Sequence, residues 1–126
     1  MSGKIFNIPL IDKYVVFYYG ESSYDTFKKD VIRFNEVIRD FGNTKLSEIS
    51  GETYGSYFWI KDINDYNTLF HEIQHILENM YFTLGCTCET EFKAYLAGYV
   101  CNEILQYIFK LKDTKNGNCK TVCKKD

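Results

Sequence analysis

No stretch of this 126-residue chain approaches the ~18 consecutive apolar residues that would span a bilayer. A membrane-spanning protein is therefore not expected. The first nine residues, Met1 to Pro9, also lack the uninterrupted apolar region of a secretory signal. That points to a cytoplasmic or virion-associated protein rather than an exported one. Charge of one sign is missing too, since 15 Lys and Arg against 17 Asp and Glu leave a net charge of -2. Such a balance gives no electrostatic footprint for nucleic acid or for an anionic membrane, and neither is expected as a partner. Internal repeats and low-complexity segments are absent. Histidine is scarce: His71 and His75 are the only two.

What the chain has in quantity is apolar and aromatic surface. Hydrophobic residues make up 45% and aromatic residues 17%, with eleven Tyr and ten Phe, enough for one well-filled core. The expectation is a single domain over residues 1–111, followed by a mobile tail over 112–126 that contains lysine and cysteine. The five cysteines, Cys86, Cys88, Cys101, Cys119 and Cys123, are an odd number, and without an export signal they are expected as reduced thiols. Cys86, Cys88, Cys119 and Cys123 could together hold a second, structural zinc. Their spacing is not that of a usual zinc knuckle, so unpaired thiols are the expected state.

Composition predicts strands at residues 4–8 and 13–19, the second dense in β-branched and aromatic side chains. A helix opening at Ser22 or Ser23 should run to about Phe41, because Phe27, Val31, Phe34, Ile38 and Phe41 recur on one face. A loop from Asn43 to Gly55 is expected to hold a short strand at 45–49. Ser56 to Lys61 reads as a further strand. Asp65 is the expected N-cap of a helix from Tyr66 to about Leu84, stopped by Gly85. Thr87 should cap a last helix from about Cys88 to Lys110. That helix carries a bulky stripe, Phe92, Tyr95, Leu96, Tyr99, Val100, Ile104, Tyr107 and Ile108, beside a line of mostly small residues, Glu91, Ala94, Gly98, Cys101 and Leu105. Strands, helix, strand and two helices make an α+β domain, with the helices expected on one side of a small sheet.

The helix from Tyr66 contains His71-Glu72-Ile73-Gln74-His75. Residues four apart on a helix lie one above the other, so both imidazoles can donate to one tetrahedral zinc. Glu72, about 100° round the helix, is placed to take a proton from a zinc-bound water, the general-base role in an H-E-x-x-H motif. A third histidine is excluded, since none remains. Cys86 or Cys88 could close back only awkwardly from the following turn. Glu91, at the head of the small-residue line, is the favoured third ligand, with Glu89 as the alternative. A di-iron carboxylate site would need two Glu-x-x-His motifs on a four-helix bundle, and the chain has one.

His71-Glu72-x-x-His75 followed by Glu91-x-x-Ala94 resembles the gluzincin metallopeptidases, in which a glutamate on the next helix completes the zinc site. The element order is similar to that of the minigluzincins and of small zincin-like proteins of phage and prophage genomes. The resemblance covers roughly Gly55 to Ile108. It implies one zinc per chain held by His71, His75 and Glu91, with Glu72 as the catalytic base and a peptide or protein as substrate. It implies further that Ser56 to Lys61 is the edge strand beside the cleft, which gives Tyr57 and Trp59 as substrate-binding candidates. A tyrosine, Tyr95 or Tyr99, would have to serve as the oxyanion donor, although both also fit the core stripe. The expected function is a zinc-dependent peptidase. The alternative is a catalytically silent, zinc-stabilised interaction or virion protein with the same fold, its partners being other virion proteins.

Overall fold

Residues 3–35, 45–84 and 90–116 are described by the computed structural model. β1 (Lys4–Ile8) and β2 (Lys13–Tyr19) occupy the residues predicted for them and pair antiparallel, with Lys4 opposite Phe17 and Ile8 opposite Lys13. The chain reverses between them through one 3-10 turn, Pro9–Ile11, and through Asp12 at φ 54. Aspartate is among the few non-glycine residues that tolerate this left-handed conformation. After Gly20 a second 3-10 turn leads into α1 (Tyr24–Asn35). Phe27 and Val31 of its predicted stripe are buried, while Phe34 is exposed with its ring packed along Tyr57. Ile38 and Phe41 lie outside the described residues.

The predicted strand at 45–49 is not observed. Leu46–Glu48 makes a 3-10 turn instead, and the strand is β3 (Gly51–Tyr54), joined to β4 (Tyr57–Ile60) by a two-residue turn. Gly55 takes φ 61 at the first central position of that turn, a left-handed conformation that glycine adopts at no steric cost. Gly-Glu-Thr-Tyr has little apolar character, so its strand conformation comes from pairing with β4 rather than from composition. The sheet order is β1-β2-β4-β3, with β2 and β4 parallel and the other pairs antiparallel. β4 is thus an inner strand and β3 is the edge, which corrects the expectation that residues 56–61 form the edge.

The class is α+β, as the sequence implies, but the helices do not gather on one side. Val16, Tyr18, Tyr57 and Trp59 point to one face and form a core with Tyr24, Phe27 and Val31 at α1. Val15, Phe17, Phe58 and Ile60 point to the other, where α2 (Tyr66–Thr83) and α3 (Thr90–Asn116) pack. Strands β2 and β4 are apolar without interruption, the pattern of a sheet covered on both faces.

Asp65 caps α2 as predicted, accepting from the Thr68 amide at 3.1 Å and the Thr68 hydroxyl at 2.6 Å. These bonds hold its carboxyl below the usual carboxylate range. α3 runs antiparallel to α2: the Tyr81 hydroxyl donates to the Lys93 carbonyl at 3.1 Å, and near the other end Lys112 donates to the Tyr66 hydroxyl. Lys112 therefore belongs to the fold, and the helix continues to Asn116, six residues past the expected end. Residues 117–126 of the expected tail, Gly85 as the helix stop and Thr87 as a cap lie outside the described residues. Among the described residues, no helix is long and apolar enough to cross a membrane.

Candidate metal centre

α2 buries one face, Leu69, Ile73, Ile76, Leu77 and Met80, against the sheet and α3. His71 and His75 fall on the opposite, exposed face, as their spacing from these residues dictates. Their Nε2 atoms face each other at 3.2 Å, with the ring planes 79° apart. Two nitrogens bound to one tetrahedral zinc at about 2.0–2.1 Å are separated by roughly 3.3 Å. The pair therefore fits a shared ion without rotamer change. It equally accommodates a single proton held between a donor and an acceptor nitrogen when no ion is bound.

Glu72 sits between these histidines and the sheet. Its side chain is buried, at 6% exposure, against edge strand β3. Thr53 Oγ1 donates to Glu72 Oε1 at 2.6 Å and thereby satisfies one carboxylate oxygen. A Cβ on Gly51 would stand 2.8 Å from Thr68 Cγ2 and 3.0 Å from both Cγ and Oε2 of Glu72. Glycine at 51 is what lets β3 approach α2 this closely. Oε2 accepts no hydrogen bond from any of the described residues, and among those residues no fully buried side-chain polar atom lacks a partner. Gly51 and Thr53 escape sequence reasoning because they fall in a stretch that reads as loop. Only the pairing of β3 shows that they face α2.

One helical turn beyond His75, α2 meets the β3–β4 turn at Asn79. Asn79 Nδ2 donates to the Gly55 carbonyl at 3.0 Å, and a pocket of about 250 Å³ opens among Tyr14, Ser56, Ile76, Asn79, Met80 and Thr83. The outer edge of β3 pairs with no other strand among the described residues.

The remaining predicted site residues are placed elsewhere. Glu91 is exposed in the first turn of α3, two residues before the Lys93 carbonyl that Tyr81 holds. Tyr81 lies six residues beyond His75, about 9 Å along the axis, so the antiparallel register carries Glu91 away from the histidines. Among the described residues, no group of three or more His, Cys, Asp or Glu converges on a metal site. The expected three-ligand set of His71, His75 and Glu91 is thus not assembled. Glu91, Ala94 and Gly98 of the small-residue line that was to bring Glu91 close are at the surface, and a Cβ on Gly98 would meet nothing within 4 Å.

No family model, no curated protein and no solved structure matches this chain.

Tyr57 and Trp59 are buried at 5% and 0% exposure on the α1 face, across the sheet from the histidines. The Trp59 indole donates to the Gly20 carbonyl at 2.8 Å and holds the turn after β2. They are core residues rather than contacts for a substrate in the cleft. Tyr95 projects from the exposed side of α3, while Tyr99 lines a cavity between α3 and β1. Neither faces the histidine pair. Cys101 is half-buried beside the α2–α3 core, and burial pushes its thiol up. Cys86, Cys88, Glu89, Cys119 and Cys123 lie outside the described residues.

Proposed function

We propose that the chain is a zinc-dependent peptidase of the gluzincin kind, with its centre on α2. The observation that carries this reading is the juxtaposition of the facing His71 and His75 nitrogens with a buried Glu72 that touches β3, a strand at the sheet edge among the described residues. His71 and His75 would hold the metal, one ion per chain. Bound there, a divalent cation supplies Lewis acidity for hydrolysis. Glu72 is the proton-transfer group: Thr53 occupies Oε1 and leaves Oε2 to accept a proton from water and return it to the leaving amine. β3 offers backbone groups to an extended peptide, and the pocket beyond Asn79 offers room for one of its side chains. The substrate class is therefore peptide or unfolded protein. Elemental analysis of the purified chain, with a peptide-library digest of wild type and Glu72→Gln, tests the reading. One zinc per chain and cleavage lost in Glu72→Gln support it, and cleavage surviving that substitution sinks it.

One observation favours a second reading. The described residues bring two protein donors to the pair and no third, and neither Tyr95 nor Tyr99 stands ready to steady an oxyanion. A silent, metal-stabilised binding domain, inside the cell or on a virion among other virion proteins, would need no more than this. Under that reading zinc raises the melting temperature and no peptide is cut.

A further inference from the structure

On the α1 face of the sheet, away from the histidine pair, a cleft of about 500 Å³ opens between β1, β2 and α1. Three tyrosines and a phenylalanine line it beside Ile5, Asn7 and Val16: Tyr14 and Tyr57 meet edge to face at 6.3 Å, Tyr18 and Tyr57 lie near-parallel at 6.4 Å, and Phe34 lies along Tyr57. One charged side chain, Asp30, lines it. The Tyr18 hydroxyl donates to Asp30 Oδ2 at 2.6 Å. Burial, and then Asp30 itself, push the Tyr18 phenol up, so Tyr18 stays a donor to Asp30. Among the described residues, no lysine or arginine comes within 4.0 Å of Asp30, and Arg33 turns instead onto the Phe34 ring, 5.1 Å from its centroid.

A carboxylate with no lysine or arginine partner among the described residues, set beside aromatic rings, is complementary to an organic cation, since ring faces and carboxylate carry the same sign of potential. The walls also select between cations. An ammonium with three N–H donors, or a guanidinium with five, loses hydrogen bonds to water that a mainly apolar lining, with Asn7 and Asp30 as acceptors, replaces only in part. An alkylated ammonium has no such bonds to lose. We infer that the Asp30 cleft binds a small quaternary ammonium compound, its methylated nitrogen against Tyr14, Phe34 and Tyr57 and its charge facing Asp30.

Titration of the whole chain with choline chloride, followed by amide chemical shifts, tests this directly. The comparison ligand is the uncharged isostere in which a tert-butyl group replaces trimethylammonium. The expected result is saturable binding of choline with shifts centred on residues 14–18, 30–34 and 57. The isostere should bind at least about tenfold more weakly, and Asp30→Asn should lose a similar factor. Phe34→Leu, at an exposed position that does not carry the fold, should weaken choline about threefold or more. Equal binding of choline and isostere, unsaturable shifts, or full affinity in Phe34→Leu would each overturn the inference.

Discussion

Thr53 Oγ1 donates to Glu72 Oε1 at 2.6 Å and ties the edge strand β3 to the motif helix α2. The bond is half-buried, and without it a carboxyl group at 6% exposure loses its one side-chain donor among the described residues. Thr53→Val keeps the shape and removes the donor. It should cost about 1–3 kcal/mol in urea unfolding. Glu72→Gln retains an amide oxygen to accept from Thr53, so it should cost less than Thr53→Val while abolishing any peptide cleavage. Equal stability of Thr53→Val and wild type would show that the contact is not held in solution.

Gly51 is required by the same approach of β3 to α2. A methyl there meets Thr68 Cγ2 at 2.8 Å and Glu72 Oε2 at 3.0 Å, so strand and helix must separate or Glu72 must turn. Gly51→Ala should destabilise by about 1–3 kcal/mol through overpacking, measured by chemical denaturation. Gly98→Ala, where the added methyl meets nothing on a helix surface, should instead stabilise by about 0.5–1 kcal/mol. The opposite signs make the pair a sharp check on the packing.

Metal content separates the histidine pair from Glu91. His71→Ala and His75→Ala should each reduce zinc from one per chain toward none and remove the rise in melting temperature that zinc produces. Glu91→Ala should leave both unchanged, because Glu91 stands beside the far end of α2. Loss of zinc in Glu91→Ala would restore the three-ligand site that the sequence suggests and require a different packing of α3.

Alkaline pH should unfold the chain through its buried phenols. Tyr18, Tyr24 and Tyr57 are all raised above the ordinary phenol value, each chiefly by burial and then by a side-chain partner: Asp30, Glu52 and Tyr14 respectively. Raised folded values mean that the stabilisation is complete below about pH 10, where unfolded tyrosine titrates, and declines as pH rises beyond it. Circular dichroism against pH should show a transition above that point. Tyr24→Phe should be less sensitive to alkali than wild type, and an unchanged profile would contradict the burial of these hydroxyls.

The local elements are legible because short-range patterns determine them. β1 and β2 carry β-branched and aromatic runs, Asp65 precedes a helical repeat as a capping residue, and the four-residue spacing of His71 and His75 puts both on one face whatever surrounds them. A sequence with these patterns can offer a two-histidine metal site and an adjacent carboxylate without further help from the fold.

Tertiary structure decided the rest. Composition favours Tyr57–Ile60 as a strand, but only the β1-β2-β4-β3 order makes it an inner one and gives the edge to Gly51–Tyr54. The pairing of β3 with β4 is what turns Gly51 and Thr53 toward Glu72. The register of α3 along α2, tied by Tyr81 to Lys93 and by Lys112 to Tyr66, is what takes Glu91 away from the histidines. The two ties between α2 and α3 join residues 12 and 46 positions apart. Periodicity fixes which face of an element is apolar, whereas the partner and register of that face depend on how all the faces pack at once.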